Sequence, residues 1–267
     1  MSIAFVSTMN LKLYNDYGKR FIKEFAEYAS DEIRLFIIFE GEYPEELINF
    51  QNNIIVTPLR SDRHSRFINY FGKLYEAQGV KLKFFQENGQ NKVTINPDYR
   101  FNAIRFSFKP FAIHQVLKFV PENLDYLIWT DADLRCLKQF SEDSLIKFLP
   151  DNDHLMSYLG RKKPWYSECG FLGFNLKNPD TQNFINRVID IYTTGEIFSL
   201  EQWHDSWIWD IVREEYEVKD IKFKNISGKG FDEEHPFVNC GLEEFFDHLK
   251  GPERKKGGKS FRSDYKK

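Results

Sequence analysis

LIWTDADLRCLK, residues 127–138, begins as an apolar run and ends in two carboxylates one residue apart, with only the small Ala132 between them. Asp131 and Asp133 repel each other if both are ionised. The chain must therefore solvate them, protonate one, or place a cation between them. The preceding Tyr126-Leu127-Ile128-Trp129 has the character of a buried strand. In an extended chain side chains alternate, so the two carboxylates are expected on one side, facing one cation together. A hard divalent ion such as Mn²⁺ or Mg²⁺ takes oxygen ligands of this kind and commonly shares them with substrate phosphates. The plain alternative is a solvated turn after a strand, where aspartate is common.

Working outward from this stretch, short apolar runs alternate with amphipathic ones. Strands are expected at Ile3–Ser7, Ile33–Phe39, Asn53–Thr57 and Asp125–Thr130. Helical periodicity covers Asp16–Tyr28, with Phe21, Ile22, Phe25 and Tyr28 on one face, and then Arg66–Tyr75 and Arg100–Val120. Pro110 predicts a kink or break in the last of these. Asn88-Gly89 lies between two partly alternating runs and predicts a hairpin insertion over Val80–Ile95. Further strands are expected at Leu155–Tyr158, Phe171–Leu176 and Glu217–Phe223, with helices at Thr181–Tyr192 and Trp203–Glu215. Strands alternating with helices imply an α/β, Rossmann-like fold, a mainly parallel sheet flanked by helices. Such sheets bind ligands beyond the carboxyl ends of their strands, which is where the Asp pair falls. There is no internal repeat and no linker rich in Pro, Gly or Ser, so a single domain is expected.

The bulk numbers agree. The chain has 267 residues and is 42% hydrophobic, enough for one large core; 17% aromatic content suits aromatic-lined grooves as well. A net charge of −3 gives no overall pull toward nucleic acid or membrane. Cys136, Cys169 and Cys240 are scattered and odd in number, so neither a zinc site nor a disulfide framework is indicated, and a reducing, cytoplasmic compartment is expected. No stretch has the length of a membrane span. The last segment, from Lys250 onward, is basic and glycine-bearing and is expected to be a mobile tail.

Three motif classes can be set aside. No Gly-x-Gly-x-x-Gly or phosphate-loop pattern occurs, against dinucleotide and P-loop binding. Aspartyl-nucleophile phosphatases carry Asp-x-Asp near the N-terminus with Thr or Val two residues on; here the pair is at mid-chain and that residue is Arg135. Sugar nucleotidyltransferases open with a glycine-rich basic loop, which STMNLKLYN (7–15) is not.

Over nearly its whole length the chain resembles the GT-A glycosyltransferases, in particular the glycosyltransferase 8 type. The resemblance is carried by LIWTDADL, by ECGFLGFNL (168–176), by EQWHDSW (201–207) and by HLKGPER (248–254). In the last of these His248 and Gly251 match a His-x-x-Gly-x-x-Lys motif. Arg254 takes the lysine position, and Lys255-Lys256 stands where Pro-Trp often follows. The resemblance implies Mn²⁺ (or Mg²⁺) on Asp131, Asp133 and His248. It implies a nucleotide-sugar donor, UDP-linked in the commonest case, on Ser7, Thr8, Asn10, Asp131, Ala132, Lys250, Gly251 and Arg254. Arg105 and Lys109, four apart and so on one helix face just before the Asp-x-Asp strand, are further candidates for the phosphates or the sugar, with a solvated helix face as the plain alternative. Residues 1–138 would form the donor half, 139–249 the acceptor half, and 250–267 a tail closing over the diphosphate.

In the acceptor half, Trp165, Glu168, Trp203 and His204 are the candidate acceptor contacts, because sugars stack on aromatic faces and carboxylates accept from hydroxyls; core packing is the plain reading of the tryptophans. Asp205 is the first candidate for the catalytic carboxylate and Glu201 the second, acting as base if the anomeric centre inverts and as orienting charge if it is retained. The implied activity is hexosyl or pentosyl transfer to a glycan or lipid-linked sugar. A phage-type enzyme acting on modified DNA bases is an alternative, with SDRHSR (61–66) and the tail as phosphate contacts. A non-catalytic carbohydrate-binding protein is another.

Overall fold

The computed structural model describes residues 1–48, 50–51, 53–120 and 123–265. The strands are, in chain order, β1 (Ile3–Met9), β2 (Arg34–Phe39), β3 (Ile54–Pro58), β4 (Val80–Glu87), β5 (Gln90–Pro97), β6 (Tyr126–Thr130), β7 (Leu134–Cys136), β8 (His154–Leu159), β9 (Glu168–Asn175), β10 (Lys222–Asn225) and β11 (Phe246–His248). Seven of them form one sheet in the order β10-β8-β9-β6-β1-β2-β3. β9 runs against both of its neighbours, and every other adjacent pair is parallel. The expected mainly parallel α/β sheet in a single domain is therefore what forms. The carboxyl ends of β1, β2, β6, β8 and β10 and the amino end of β9 share one edge.

The central strands read as unbroken apolar runs because both faces of the sheet are covered. Ile3, Phe5, Leu35, Ile37 and Phe39 point into one core, together with Phe21, Ile22 and Phe25 of the Lys19–Tyr28 helix. Ala4, Val6, Phe36 and Ile38 point into the other, against the helices Ala103–Val116, Thr181–Thr193 and Asp205–Glu217.

Most boundaries agree with the sequence; three differ, and Pro110 does not break its helix. The expected Arg66–Tyr75 helix spans Asp62–Phe71, because the Ser61 hydroxyl accepts from the His64 N–H and so sets the N-terminus earlier. The expected Arg100–Val120 helix is Ala103–Val116, capped by the Asn102 side chain accepting from Arg105 N–H. Pro110 neither breaks nor ends it. The ring is buried in the core, whose packing outweighs one lost backbone hydrogen bond. The expected strand from Glu217 begins only at Lys222, since the preceding helix runs on to Glu217. The hairpin forms as read, with Asn88 at φ 52° and Gly89 at φ 75°, the two left-handed residues a tight hairpin turn needs.

A separate small sheet fixes the far end of the chain. β11 pairs antiparallel with β7, setting His248 opposite Leu134 and Phe246 opposite Cys136. Edge-to-face phenylalanine contacts bind it to the main core: Phe246 on Phe140 at 4.8 Å, Phe140 on Phe25 at 5.5 Å, and Phe25 on Phe5 at 5.2 Å. Phe140→Ala should remove the middle of this relay and cost about 3–5 kcal/mol in urea denaturation. A loss below about 1 kcal/mol would show that the small sheet is not held this way.

Candidate functional site

The Asp pair does not lie on an extended chain, as the sequence was read to imply. β6 ends at Thr130, and Leu134 N–H donates to the Asp131 carbonyl at 3.2 Å, closing a reverse turn over residues 131–134. The turn, rather than strand alternation, brings both carboxylates to one point. β11 delivers His248 to the same point: its Nε2 is 3.5 Å from Asp131 Oδ2 and 3.2 Å from Asp133 Oδ1. Its other ring nitrogen, Nδ1, is 2.6 Å from Glu168 Oε1. Gly170 makes room for the ring, since a Cβ there would stand 2.6 Å from His248 Nδ1.

These donors suit a divalent cation. Asp131, Asp133 and His248 offer one ligand atom each within 4.8 Å of one another. Asp133 Oδ1 is buried and has no well-directed hydrogen bond among the described residues. A carboxylate behind the second nitrogen of a histidine is the usual way a metal-ligating ring is oriented. The electrostatics favour charge compensation here. Burial alone would raise Asp131, but Lys109 and His248 hold its pKa below the usual carboxylate range. Burial would lower His248, yet Asp133, Asp131 and Glu168 raise it well above the usual histidine value. Burial likewise opposes ionised Glu168, but His235 and His248 hold it well below. Lys109 is itself buried; its Nζ lies 3.0 Å from Asp131 Oδ1, 2.5 Å from Asp205 Oδ2 and 2.8 Å from the Cys169 carbonyl. Trp129 Nε1–H donates to Asp131 Oδ1 at 3.0 Å.

In front of the cluster is a cleft of about 440 Å³ at the carboxyl edge of the sheet, with Thr8, Asn10, Arg105, Lys109, Asp131, Ala132, Asp133 and Asp205 on its wall. Arg105 and Lys109 share a face as their spacing predicts. Ser7 is not on the wall: it is fully buried within the sheet, because alternation in β1 turns it inward while Thr8 turns out. Glu40, Tyr17 and Lys255 line the cleft too, and sequence reading passed over them. Glu40 follows β2 directly and accepts from Asn10 Nδ2 at 3.1 Å; burial pushes its pKa up to about 7. A carboxylate directly after a buried parallel strand was the available signal. Lys255 Nζ reaches Asp133 Oδ2 at 2.7 Å. Gly251 at φ 84° makes this possible by turning the chain back after β11.

The remaining candidates are placed differently from their expected roles. Glu168 is too buried to meet an acceptor and serves instead as the partner of His248, because the amino end of β9 lies under β11. Arg254 faces Asp264 in an ion pair, and Lys250 donates to the Glu234 carbonyl at 2.9 Å, so neither points into the cleft. In the segment after Lys250, Ser260 bonds Asp247 through N–H and hydroxyl, and Arg135 donates to the Gly258 carbonyl at 2.7 Å. Lys266 and Lys267 of that tail lie outside the described residues. Trp203 packs edge-on against Phe101 and Phe198, the core role. His204 is buried and caps the Asp205–Glu217 helix, accepting from Trp207 N–H at 3.3 Å. Glu201 is exposed and away from the cleft wall. Trp165 stands half exposed on a second, neighbouring cleft. Within SDRHSR, Arg63 pairs with Asp190 and His64 is buried against Ser107, while Arg66 is exposed. His235, also unremarked in the sequence, is buried with Nδ1 3.3 Å from Glu168 Oε2. No helix among the described residues is long and apolar enough to cross a membrane.

No family model and no curated protein matches the chain by sequence. Solved structures align with it in three dimensions. Mouse xyloside xylosyltransferase 1 in its apo form aligns with TM-score 0.48 and 12% identity, over 84% of this chain and 85% of that one. The apo form of the glycosyltransferase GlyE of Streptococcus pneumoniae TIGR4 aligns with TM-score 0.50 and 12% identity, over 85% of this chain and 46% of that one, so this chain spans about half its length. A glycosyltransferase involved in the glycosylation of the major capsid of PBCV-1 aligns with TM-score 0.49 and 13% identity, over 96% and 98%. At such identity the likeness to GlyE is one of fold.

Two substitutions test this geometry. Gly170→Ala should lower stability by about 1–3 kcal/mol, since the His248 ring must shift, whereas Gly257→Ala, with open space around it, should be near neutral; equal effects would refute the close approach. Because the folded-state pKa of Glu40 lies above its ordinary value, its contribution is full below about pH 4.5 and lost as pH rises through about 7. Glu40→Gln should therefore raise the melting temperature over the parent at pH 8 but not near pH 4; a gain that does not vary with pH would contradict that assignment.

Proposed function

We propose that the chain is a glycosyltransferase that moves a sugar from a nucleoside-diphosphate sugar, a UDP-sugar by preference, to an acceptor hydroxyl. The observation that carries this reading is His248 Nε2 lying 3.5 and 3.2 Å from two carboxylates at the carboxyl end of a central parallel strand, with Glu168 fixing the ring behind it. Asp131, Asp133 and His248 would hold Mn²⁺ or Mg²⁺. Such an ion, when bound, supplies Lewis-acid stabilisation of the leaving diphosphate.

The protein side of the chemistry follows from the wall of the cleft. Arg105 is exposed, and Lys255 is partly exposed beside Asp133; both can give charge-assisted hydrogen bonds to phosphate oxygens. Lys109 is committed to Asp131 and Asp205, so its part is to hold those carboxylates in place. Thr8, Asn10 and Glu40, at and after the carboxyl ends of β1 and β2, also line the cleft and would meet ribose or base. Asp205 Oδ2 is taken by Lys109 and Oδ1 accepts from Ser206 N–H at 2.9 Å. With both oxygens engaged, Asp205 acts as a fixed negative charge beside the ring that develops positive charge. That role favours retention of the anomeric centre over the base role of an inverting mechanism.

On this reading residues 1–138 hold the donor, 139–249 the acceptor, and the segment from Lys250 closes the diphosphate end. The test is thermal stability with UDP, GDP, CDP and dTDP, each with and without Mn²⁺. One nucleotide at 100 times its Kd should stabilise by about 2.7 kcal/mol, only with Mn²⁺, and the effect should vanish in Asp133→Ala. No shift with any nucleotide would overturn the reading.

A further inference from the structure

A second cleft, of about 810 Å³, opens on the same edge of the sheet beyond β9, above the carboxyl ends of β8 and β10. It begins one residue from the metal cluster: Ser167 lies on its wall, and the next residue is Glu168, the partner of His248. Its walls are aromatic. Trp165 is 51% and Phe231 41% exposed at its mouth, and Tyr166 stacks edge-on against Trp207 at 4.9 Å deeper in. Large exposed rings in a concave site give flat apolar platforms, and the C–H faces of sugar rings stack on such platforms.

The charge on this cleft is uneven. Its carboxylates are occupied: Asp210 accepts from Ser167 N–H and hydroxyl at 2.8 and 2.5 Å and sits 3.4 Å from Arg213, and Glu214 lies 3.6 Å from Arg213. Two of its cations are not matched. Arg161 donates to the carbonyls of Tyr166 and Glu234, which fix the guanidinium without neutralising it, and its charge lies 5.7 Å from the centre of the Trp165 ring. Among the described residues no carboxylate lies within ion-pair distance of either Arg161 or Lys163. Positive charge held beside an aromatic platform, with both carboxylates of the cleft wall already engaged, selects for a ligand that brings its own negative charge.

We propose that this second cleft is the acceptor site and that the acceptor is a saccharide bearing carboxylate or sulfate groups, stacked on Trp165 with its anionic groups at Arg161 and Lys163. The assignment rests on the glycosyltransferase reading for the word acceptor, and on the cleft itself for the ligand. Binding of a galacturonate trimer, a heparin-derived tetrasaccharide and neutral maltotriose is measured by tryptophan fluorescence and calorimetry on the full chain, at constant ionic strength. At least one anionic oligosaccharide should bind about tenfold more tightly than maltotriose. Trp165→Ala should abolish that binding and Lys163→Glu should remove the preference, both variants keeping the parent's melting temperature because the two side chains are exposed. Equal binding of maltotriose, binding by none of the three, or binding indifferent to both substitutions would overturn the proposal. Mn²⁺-dependent stabilisation by nucleotide, measured on the same preparations, separates the two readings. If it persists while the oligosaccharides fail, only the acceptor assignment falls. If it is absent while they bind, the transferase reading falls and the cleft is a saccharide site without an acceptor role.

Discussion

Four carboxylates, those of Asp131, Asp133, Glu168 and Asp205, are gathered at one end of the sheet, and an ionised group buried without a partner costs several kcal/mol. Much of the local architecture answers that constraint. Lys109 comes from the Ala103–Val116 helix to stand between Asp131 and Asp205. His248 comes from β11 to stand between the Asp pair and Glu168. Lys255 comes back from the tail to Asp133, and Trp129 turns its indole N–H on Asp131 from the strand just before it. Each compensating group arrives from a different element, so the elements must sit where they do for the charges to be tolerated. The Pro110-containing helix and the small β7–β11 sheet owe their positions to this network as well as to apolar packing.

The same network explains what was legible beforehand. Strands β1, β2 and β6 are apolar on both faces, and the alternation of Phe5, Val6, Ile37 and Ile38 between two cores leaves nothing but a covered parallel sheet as their home. The Asn88-Gly89 turn was equally plain, because left-handed backbone at two consecutive positions limits the residues that fit. Asp131, Asp133 and His248 could be read together from a motif resemblance, and the structure does bring them together.

What could not be read were the side chains whose direction depends on register or on long-range pairing. Ser7 and Thr8 are neighbours of similar chemistry, and only the register of β1 sends one inward and the other to the cleft. Arg254 and Lys255 are both cations in one short helix, and only the position of Asp264 decides that the first is taken and the second free to reach Asp133. Glu168 is read from the sequence as an acceptor contact. Its burial follows from β9 entering the sheet against its neighbours, a reversal that no local pattern announces.

The pairing of β7 with β11 also bears on the order of events as the chain is made. His248 meets Glu168 across 80 positions of sequence, and Arg135 meets Gly258 across 123. Loop closure over such spans grows only slowly with length in free-energy terms, but it cannot begin until the distant partner has been synthesised. The sheet core from β1 to β6 can therefore collapse while its most charged edge still lacks its imidazole. The cluster of Asp131, Asp133, Glu168 and His248 is complete only once β11 has been made. A chain caught before that point would carry the carboxylates without the ring that stands between them, and so would be less stable.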